Sequence, residues 1–498
     1  MPCDWERLVL YSSGRKPACG IHEPIEEAHW SERLEYFHST RPGQILDDRF
    51  KTIAKLGFGS GSTVWLAKNL KLRWRKSKLP RYVVIKITAS DVDDEADEKG
   101  WLRIVANANP SHEGLKHIQV PLDTFDLQGI SGTHPCLVFE PMRGNLCQFP
   151  LPMFKDYIRS LLQALDYLHT ECRLIHTDLK EDNILITMEH ESVLKDLIDN
   201  YKTNSQPTYT RKEDGHVTYM SHDKMGDIRV GHCLLRLADF NTCFTLPPGN
   251  RHHQGRIQSD QYRAPEVLVG FPWSYKVDIW NLGLMMFNLL EDINLFNPVG
   301  EDGEYDAHVH LAQIISYLGK APPLMVKRER ESREILPGVP MMNEKGEDCE
   351  TMNEYWGGPF FDDDGFMIRK GLIQEERCLV SLVTELQGKD KALFANFATG
   401  MIRWLEAIVS TDGFPRIERL LKSSCNILFS PKKIKYREGK VKVVTSGTFD
   451  APAGETSAGS MRVCLMIDPE GLCATVVGET IVVGALRQDG LPARRPGL

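Results

Sequence analysis

The chain has 498 residues, 42% of them hydrophobic, and 68 acidic against 60 basic side chains leave a formal charge of −8. This is core material for two or three packed units, and the acidic balance argues against a nucleic-acid binder held by its whole surface and favours basic partners. Twelve Cys without C-x-x-C or His–Cys ligand spacing, an N-terminus without an apolar leader core, and no apolar run near the ~20 residues that span a bilayer predict free thiols, a reducing compartment and no membrane insertion.

In chain order, residues 1–49 read as a polar extension with a short helix in IEEAHWSERLEYF. From Phe50 the pattern is strand, Gly-rich turn, strand (FKTIAKLGFGSGSTVWLAKN), and after a basic connector comes RYVVIKITA, which predicts an antiparallel sheet. A helix is expected at about Asp93 to Ala106, strands around HIQVPLDTFDL and PCLVFEPM, and then helical periodicity in MFKDYIRSLLQALDYLHTE. The polar stretch between Asn183 and Asp239 reads as a surface insertion. Helical signals resume in YKVDIWNLGLMMFNLLED, HVHLAQIISYLG and LFANFATGMIRWLEAIV, with Trp280, Met285 and Met286 as core. The expected organisation is an extension (1–49), a small β lobe (50–142), a larger helical lobe (143–424) with insertions near 187–232 and 327–359, and a tail (425–498) of different texture.

Four motifs follow one another in an order that suits phosphoryl transfer. LGFGSGSTV places Gly57 and Gly59 where a backbone closes over phosphates and a Cβ would clash; by itself a Gly-rich hairpin is usually just a turn. VVIK puts Lys86 on a strand to hold the α and β phosphates, although a single strand Lys is usually solvated. Its expected partner is Glu98, with Glu95 and Asp97 as adjacent alternatives. HTDLKEDNIL (176–185) supplies Asp178 to accept or orient a substrate hydroxyl proton, Lys180 to steady the transferred phosphate and Asn183 to bind a metal. LADF then brings Asp239 as the expected Mg²⁺ chelator. YRAPE closes the segment at Glu266. Each motif alone reads as a solvated loop; all five in order leave that reading little room.

With these motifs the chain resembles the eukaryotic protein kinases, and specifically the SR-protein kinases, which phosphorylate Ser in Arg/Ser-rich segments. The resemblance rests on ILDDRFKTIAKLGFGSGSTVWLAKN, NPSHEG, HTDLKEDNIL, IQSDQYRAPEVL and HLAQIISYLGKAPP, and it extends through FFDDDGFMIRKGLI to Trp404. It implies an α+β bilobal kinase fold, with an antiparallel β-sheet N-lobe plus helix and a mainly helical C-lobe. It further implies ATP and Mg²⁺ as cofactors, a nucleotide site that includes Leu56, Gly57, Gly59, Val64, Lys86 and Glu98, and Phe139, Glu140 and Met142 under the adenine. The expected enzyme is a monomeric serine/threonine protein kinase of the cytoplasm and nucleus, acting on basic Arg/Ser-rich proteins without binding nucleic acid or membrane. The acidic cluster Asp292, Glu301, Asp302, Glu304 and Asp306 is a candidate docking site, against the commoner reading of a solvated charge run.

Three departures from the family pattern carry expectations of their own. Thr177 stands where most kinases have the Arg that pairs with an activation-segment phosphate, so the segment from Asp239 to Glu266 is expected to be ordered without phosphorylation. Asn241 replaces the Gly of D-F-G and is expected to sit at φ > 0, a tolerated position for Asn. Glu266 is expected to pair with Arg416 or to lack a partner. His176 is expected to pack under the catalytic loop beside Phe240, and His252 and His253, with no Cys or carboxylate at ligand spacing, to be loop residues rather than metal ligands. Two rivals remain: a pseudokinase scaffold, which Asn241 and the irregular C-terminus favour and intact Lys86, Asp178, Asn183 and Asp239 oppose, and a small-molecule phosphotransferase sharing the lobes, for which YRAPE and the long segment have no use.

Overall fold

In the computed structural model, described residues run from 21 to 404 except 22, 74–78, 93–97, 145–150, 223–224, 227–232, 247–252, 254, 337–340 and 375–376, with short strands at 435–437, 440–442, 472–477 and 480–485. The chain divides into Met1–Leu428 and Phe429–Leu498. In the second unit the described strands form two antiparallel hairpins, Lys435–Arg437 with Lys440–Lys442 and Leu472–Val477 with Thr480–Ala485.

The first unit begins with two 3₁₀ turns, Glu26–His29 and Leu34–Tyr36, in place of the single short helix expected there. A six-stranded antiparallel sheet follows: β1 (Ile45–Leu46), β2 (Phe50–Gly59), β3 (Ser62–Asn69), β4 (Tyr82–Thr88), β5 (Asp123–Gln128) and β6 (Thr133–Phe139), in the order β1-β2-β3-β4-β6-β5. Alternation along it sends Phe50, Trp65, Ile85, Phe125 and Val138 into one buried cluster. Helix α1 (Glu98–Asn107) buries Glu98, Leu102 and Val105, which its turn places on one face.

The second lobe is built on α2 (Leu151–Tyr167), whose Phe154, Ile158, Leu161, Leu162 and Leu165 make the apolar stripe its periodicity predicts. After β7 (Met142–Arg143), β8 (Leu174–Ile175) and β9 (Ile184–Thr187) comes the insertion expected from the sequence, whose described residues carry regular structure. It contains α3 (Glu191–Thr203) and the hairpin β10 (Thr208–Thr210) and β11 (Val217–Tyr219). It then returns through β12 (Leu235–Leu237) beside β9.

Polar residues of the insertion reach across to the N-lobe. Gln206 accepts from Lys55 N–H (2.9 Å) and donates to Lys55 O (2.8 Å), while Tyr219 O accepts from Lys55 Nζ (3.1 Å). Its other end is tied to β7, where Arg143 donates to Met225 O and Gly226 O (both 2.8 Å) and lies 3.1 Å from Glu189. Composition read as polar loop because these side chains bond to another part of the chain rather than to water.

Further on come β13 (Phe244–Thr245), α4 (Pro265–Leu268), α5 (Lys276–Glu291), α6 (Ala307–Leu318), α7 (Pro323–Ser332), the strand pair β14 (Met341–Met342) and β15 (Asp348–Cys349), α8 (Met352–Tyr355) and α9 (Gly388–Met401). Helix α5 is apolar nearly all round and buried along its length, which makes it the centre of the lobe; Trp280, Met285 and Met286 lie there as expected.

Candidate active site

Lys86 sits on β4 between Val64 of β3 and Leu137 of β6. Its ammonium is 2.8 Å from Glu98 Oε2 and 2.8 Å from Asp239 Oδ1. Burial pulls the Lys86 pKa down, but Asp239 and Glu98 outweigh it and hold the group above its usual range. Glu98 thus takes the place weighed among three acids; Glu95 and Asp97 lie outside the described residues. The second Glu98 oxygen accepts from Phe240 N–H at 3.0 Å, so α1 is fastened to β4 and to the turn after β12 together.

The catalytic loop closes on itself. Lys180 is 2.8 Å from Asp178, and the Asn183 amide donates to Asp178 O (2.8 Å) and Asp178 Oδ2 (3.0 Å). For Lys180, burial lowers the pKa but Asp178 more than compensates. Beneath the loop, Asp278 of α5 accepts from His176 N–H (2.9 Å), Thr177 N–H (2.8 Å) and His169 Nε2 (2.8 Å). Burial would raise the Asp278 pKa; the His169 bond and the neighbouring His176 hold it below the carboxylate range.

Thr177 has φ 66°, a costly conformation for a β-branched residue. The bond to Asp278 holds it there, and its hydroxyl donates to Thr242 O at 2.6 Å. Where an Arg would reach for a phosphate, Thr177 therefore bonds directly to the segment's backbone. His176 Nε2 shares a hydrogen bond with Ala238 O (3.1 Å), and its ring meets Phe240 edge-on at 5.2 Å.

The expectation for Asn241 is overturned. Asp239 takes the left-handed conformation, φ 64°, whereas Asn241 is not among the positive-φ residues. Its amide instead donates to Asp239 Oδ1 at 2.9 Å. Burial resists the charge on Asp239, but Lys86 holds the carboxyl below its ordinary range. The strain argument for a disabled site disappears with this geometry.

Glu266 has an ionic neighbour among the described residues. Its carboxylate lies 3.7 Å from Lys276 at the start of α5; Arg416 lies outside the described residues. Nor do Gly57 and Gly59 face a clash within the chain: an added Cβ would meet Val64 Cβ and Ser62 Oγ at 3.9 Å, ordinary contact, so any close approach comes from the ligand side. Leu56 and Val64 are half-buried above the cleft. Phe139 is buried at the end of β6, and Met142 is buried on β7 opposite Thr187. The Glu140 side chain is exposed and pairs with Arg236 at 3.2 Å.

Among the described residues between Asp239 and Glu266, apolar and backbone contacts recur. β13 pairs with β8, and Phe244, His253 and Trp273 form an aromatic trio with centroids 4.5, 4.9 and 5.4 Å apart. His253 and Trp273 exchange both backbone hydrogen bonds at 2.7 Å. His253 is thus a fastening rather than a plain loop residue; His252 lies outside the described residues.

The acidic cluster is partly consumed by the fold. Asp306 caps α6 through His308 and Val309 N–H and binds Arg369 at 2.8 Å, and Asp302 lies 3.8 Å from Lys345. Asp292, Glu301 and Glu304 are exposed.

Sequence reading missed Asp278 and Lys276 as site supports. The available signal for Asp278 was an acid inside an otherwise apolar helix, where an ionised group survives only with partners. Lys276, at the helix end, gave none.

Residues 50–336 match the protein kinase domain family. A serine/threonine protein kinase of Aspergillus fumigatus is 31% identical over 384 residues, covering 74% of this chain and 83% of the relative. The serine/threonine-protein kinase SRPK of Physarum polycephalum is 30% identical over 334 residues (62% and 75% of the two chains), and SRSF protein kinase 3 of Homo sapiens 24% over 471 (64% and 80%).

Proposed function

The chain belongs to the protein kinase family and is a serine/threonine protein kinase; from that premise we propose that it transfers the γ-phosphoryl group of ATP to serines in Arg/Ser-rich proteins without phosphorylation of its own activation segment. The observation that carries the reading is the simultaneous contact of Lys86 with Glu98 and Asp239, 2.8 Å each, beside a loop in which Thr177 bonds the segment's backbone directly.

In this reading Lys86 and the β2–β3 turn at Gly57 and Gly59 hold the phosphates. Leu56 and Val64 cover the base, with Phe139 behind it and the backbone of Glu140 and Met142 bonding its edge. Asp178 takes the hydroxyl proton and Lys180 steadies the group in flight. Magnesium fits the donor set: Asp239 Oδ2 and the side-chain Oδ1 of Asn183 have no hydrogen bond among the described residues, and hard oxygens suit that ion. Bound there, it would neutralise charge on the phosphates. Thr177, the β13–β8 pair and the His253–Trp273 fastening support segment order without a phosphate.

Relatives named SRPK and SRSF protein kinase, and the exposed Asp292, Glu301 and Glu304, support a basic protein substrate; in this reading the enzyme is taken as a monomer of cytoplasm and nucleus, with neither nucleic acid nor membrane as partner. No helix of the described residues is long and apolar enough to cross a membrane. The test is Mg²⁺-dependent phosphorylation of an Arg/Ser-repeat peptide by phosphatase-treated enzyme, beside Asp178→Ala. Retained turnover that Asp178→Ala abolishes supports the proposal; turnover lost on phosphatase treatment, or indifferent to Asp178, overturns it.

A further inference from the structure

Residues 258–264 lead into α4 beside the catalytic loop, and two devices anchor them to the body of the lobe. Gln258, at φ 67°, donates to Val277 O (3.2 Å) and Asn281 Oδ1 (2.5 Å) and accepts from Ala264 N–H (2.8 Å). Arg263 is buried with its guanidinium over Trp356 (4.0 Å) and Tyr305 (4.3 Å), and it donates to Gln258 O (3.2 Å) and Asp260 Oδ1 (2.9 Å). Neither reaches the reacting loop.

A third contact does. Tyr262, 2% exposed, donates its hydroxyl to Glu181 Oε2 at 2.5 Å. Glu181 opens the 3₁₀ turn Glu181–Asn183, directly after Lys180 and two residues before Asn183. That loop is held independently by Asp278 and by the Asn183–Asp178 bonds, so the contact ties the segment to a stretch that is already fixed. Burial and the adjacent Glu181 push the Tyr262 pKa up, so the hydroxyl remains a donor throughout the physiological range. A hydroxyl donating to a carboxylate is a short, strong bond, and out of water it is strengthened further.

We propose that Glu181 is a positioning residue: through Tyr262 it fixes the segment 258–264, which we take as the surface that receives the protein substrate because it borders the loop carrying Asp178, against that loop. The proposal rests on protein phosphorylation as the activity. It assigns Glu181 no contact with ATP or with the transferred group. Reaction geometry is steep, a misplacement of ~1 Å costing roughly a hundredfold in rate, and loss of this tie affects the peptide side of the reaction alone.

The test uses the full chain. Glu181→Ala and Tyr262→Phe are each expected to lower kcat/KM for an Arg/Ser peptide about 10- to 100-fold while KM for ATP stays unchanged. The double variant is expected to be no worse than the poorer single one. Glu181→Gln, which keeps an oxygen acceptor, restores most of the loss. Hydrogen exchange of the ligand-free enzyme gives an independent readout: amides of 258–264 exchange faster in Glu181→Ala and at the wild-type rate in Glu181→Gln. Additive losses, a Gln variant as poor as Ala, an ATP KM that rises in step, or unchanged exchange would each overturn the proposal. A wild-type enzyme as inactive as Asp178→Ala would overturn the proposed function instead, and the exchange experiment would still decide the tie.

Discussion

Replacing Lys55 by Met exposes how the N-terminal extension and the insertion hold the nucleotide strand. Lys55 is fully buried on β2, immediately before Leu56. Its ammonium is bound by Glu26 Oε2 (2.7 Å), by Glu27 and by Tyr219 O (3.1 Å), while Glu26 also accepts from the Ser221 hydroxyl (2.9 Å). Met fills a similar volume, so the cost is mainly that of two carboxylates left facing each other in a dry site. Breaking a buried pair in this way costs about 3–5 kcal/mol.

The loss carries a pH signature. Burial already raises the Glu27 pKa against the pull of Lys55, and removing the cation raises it further. A carboxyl raised in the folded state contributes stability below its unfolded pKa and loses it as pH rises through the folded value. The deficit of Lys55→Met relative to wild type is therefore expected to be greatest near pH 8 and to shrink toward pH 5. Urea unfolding at several pH values measures it. Adding Glu26→Gln and Glu27→Gln should recover most of the loss at pH 8. A deficit below about 1 kcal/mol, the scale of an exposed pair, or one equal at both pH values would refute the reasoning.

Trp273→Ala removes the ring between Phe244 and His253 and should cost about 3–5 kcal/mol in unfolding free energy, with activity of unphosphorylated enzyme falling at least tenfold; unchanged activity would show that the segment does not depend on this trio. Asn241→Gly restores the family residue yet deletes the bond to Asp239. At about 0.5–1.5 kcal/mol, kcat/KM for Mg·ATP should fall roughly two- to tenfold, and an improvement would contradict the geometry. Acid should weaken the fold from near neutrality: burial holds His38 at about 4 and His310 well below the ordinary value, so between those values and ~6.5 the unfolded chain binds protons that the folded chain does not. Tm should drop between pH 7.5 and 5, and a flat profile would exclude this origin.

The catalytic groups were legible in the sequence because phosphoryl transfer demands particular residue types at short, fixed offsets. Asp178, Lys180 and Asn183 lie within six residues, Lys86 follows three apolar residues within β4, and Asp239 comes two residues after β12. Periodicity likewise gave away the amphipathic α2 and the apolar α5. Pairings across long stretches of chain were another matter. Glu98 could be singled out only by the position of α1, Lys276 was brought to Glu266 only by the start of α5, and Asn241 was separated from a strained glycine substitute only by the backbone of Asp239.

The insertion shows the limit most plainly. KTNSQPTYTRKEDG has the composition of a solvated loop, and nothing local distinguishes a Gln that bonds water from Gln206, which bonds both backbone groups of Lys55. Sequence by itself determined the chemistry and the fold class, since both rest on local spacing and hydrophobic period. Tertiary structure alone decided which polar side chains meet, because a buried hydrogen bond or ion pair depends on the burial and placement of two segments that may be 150 residues apart.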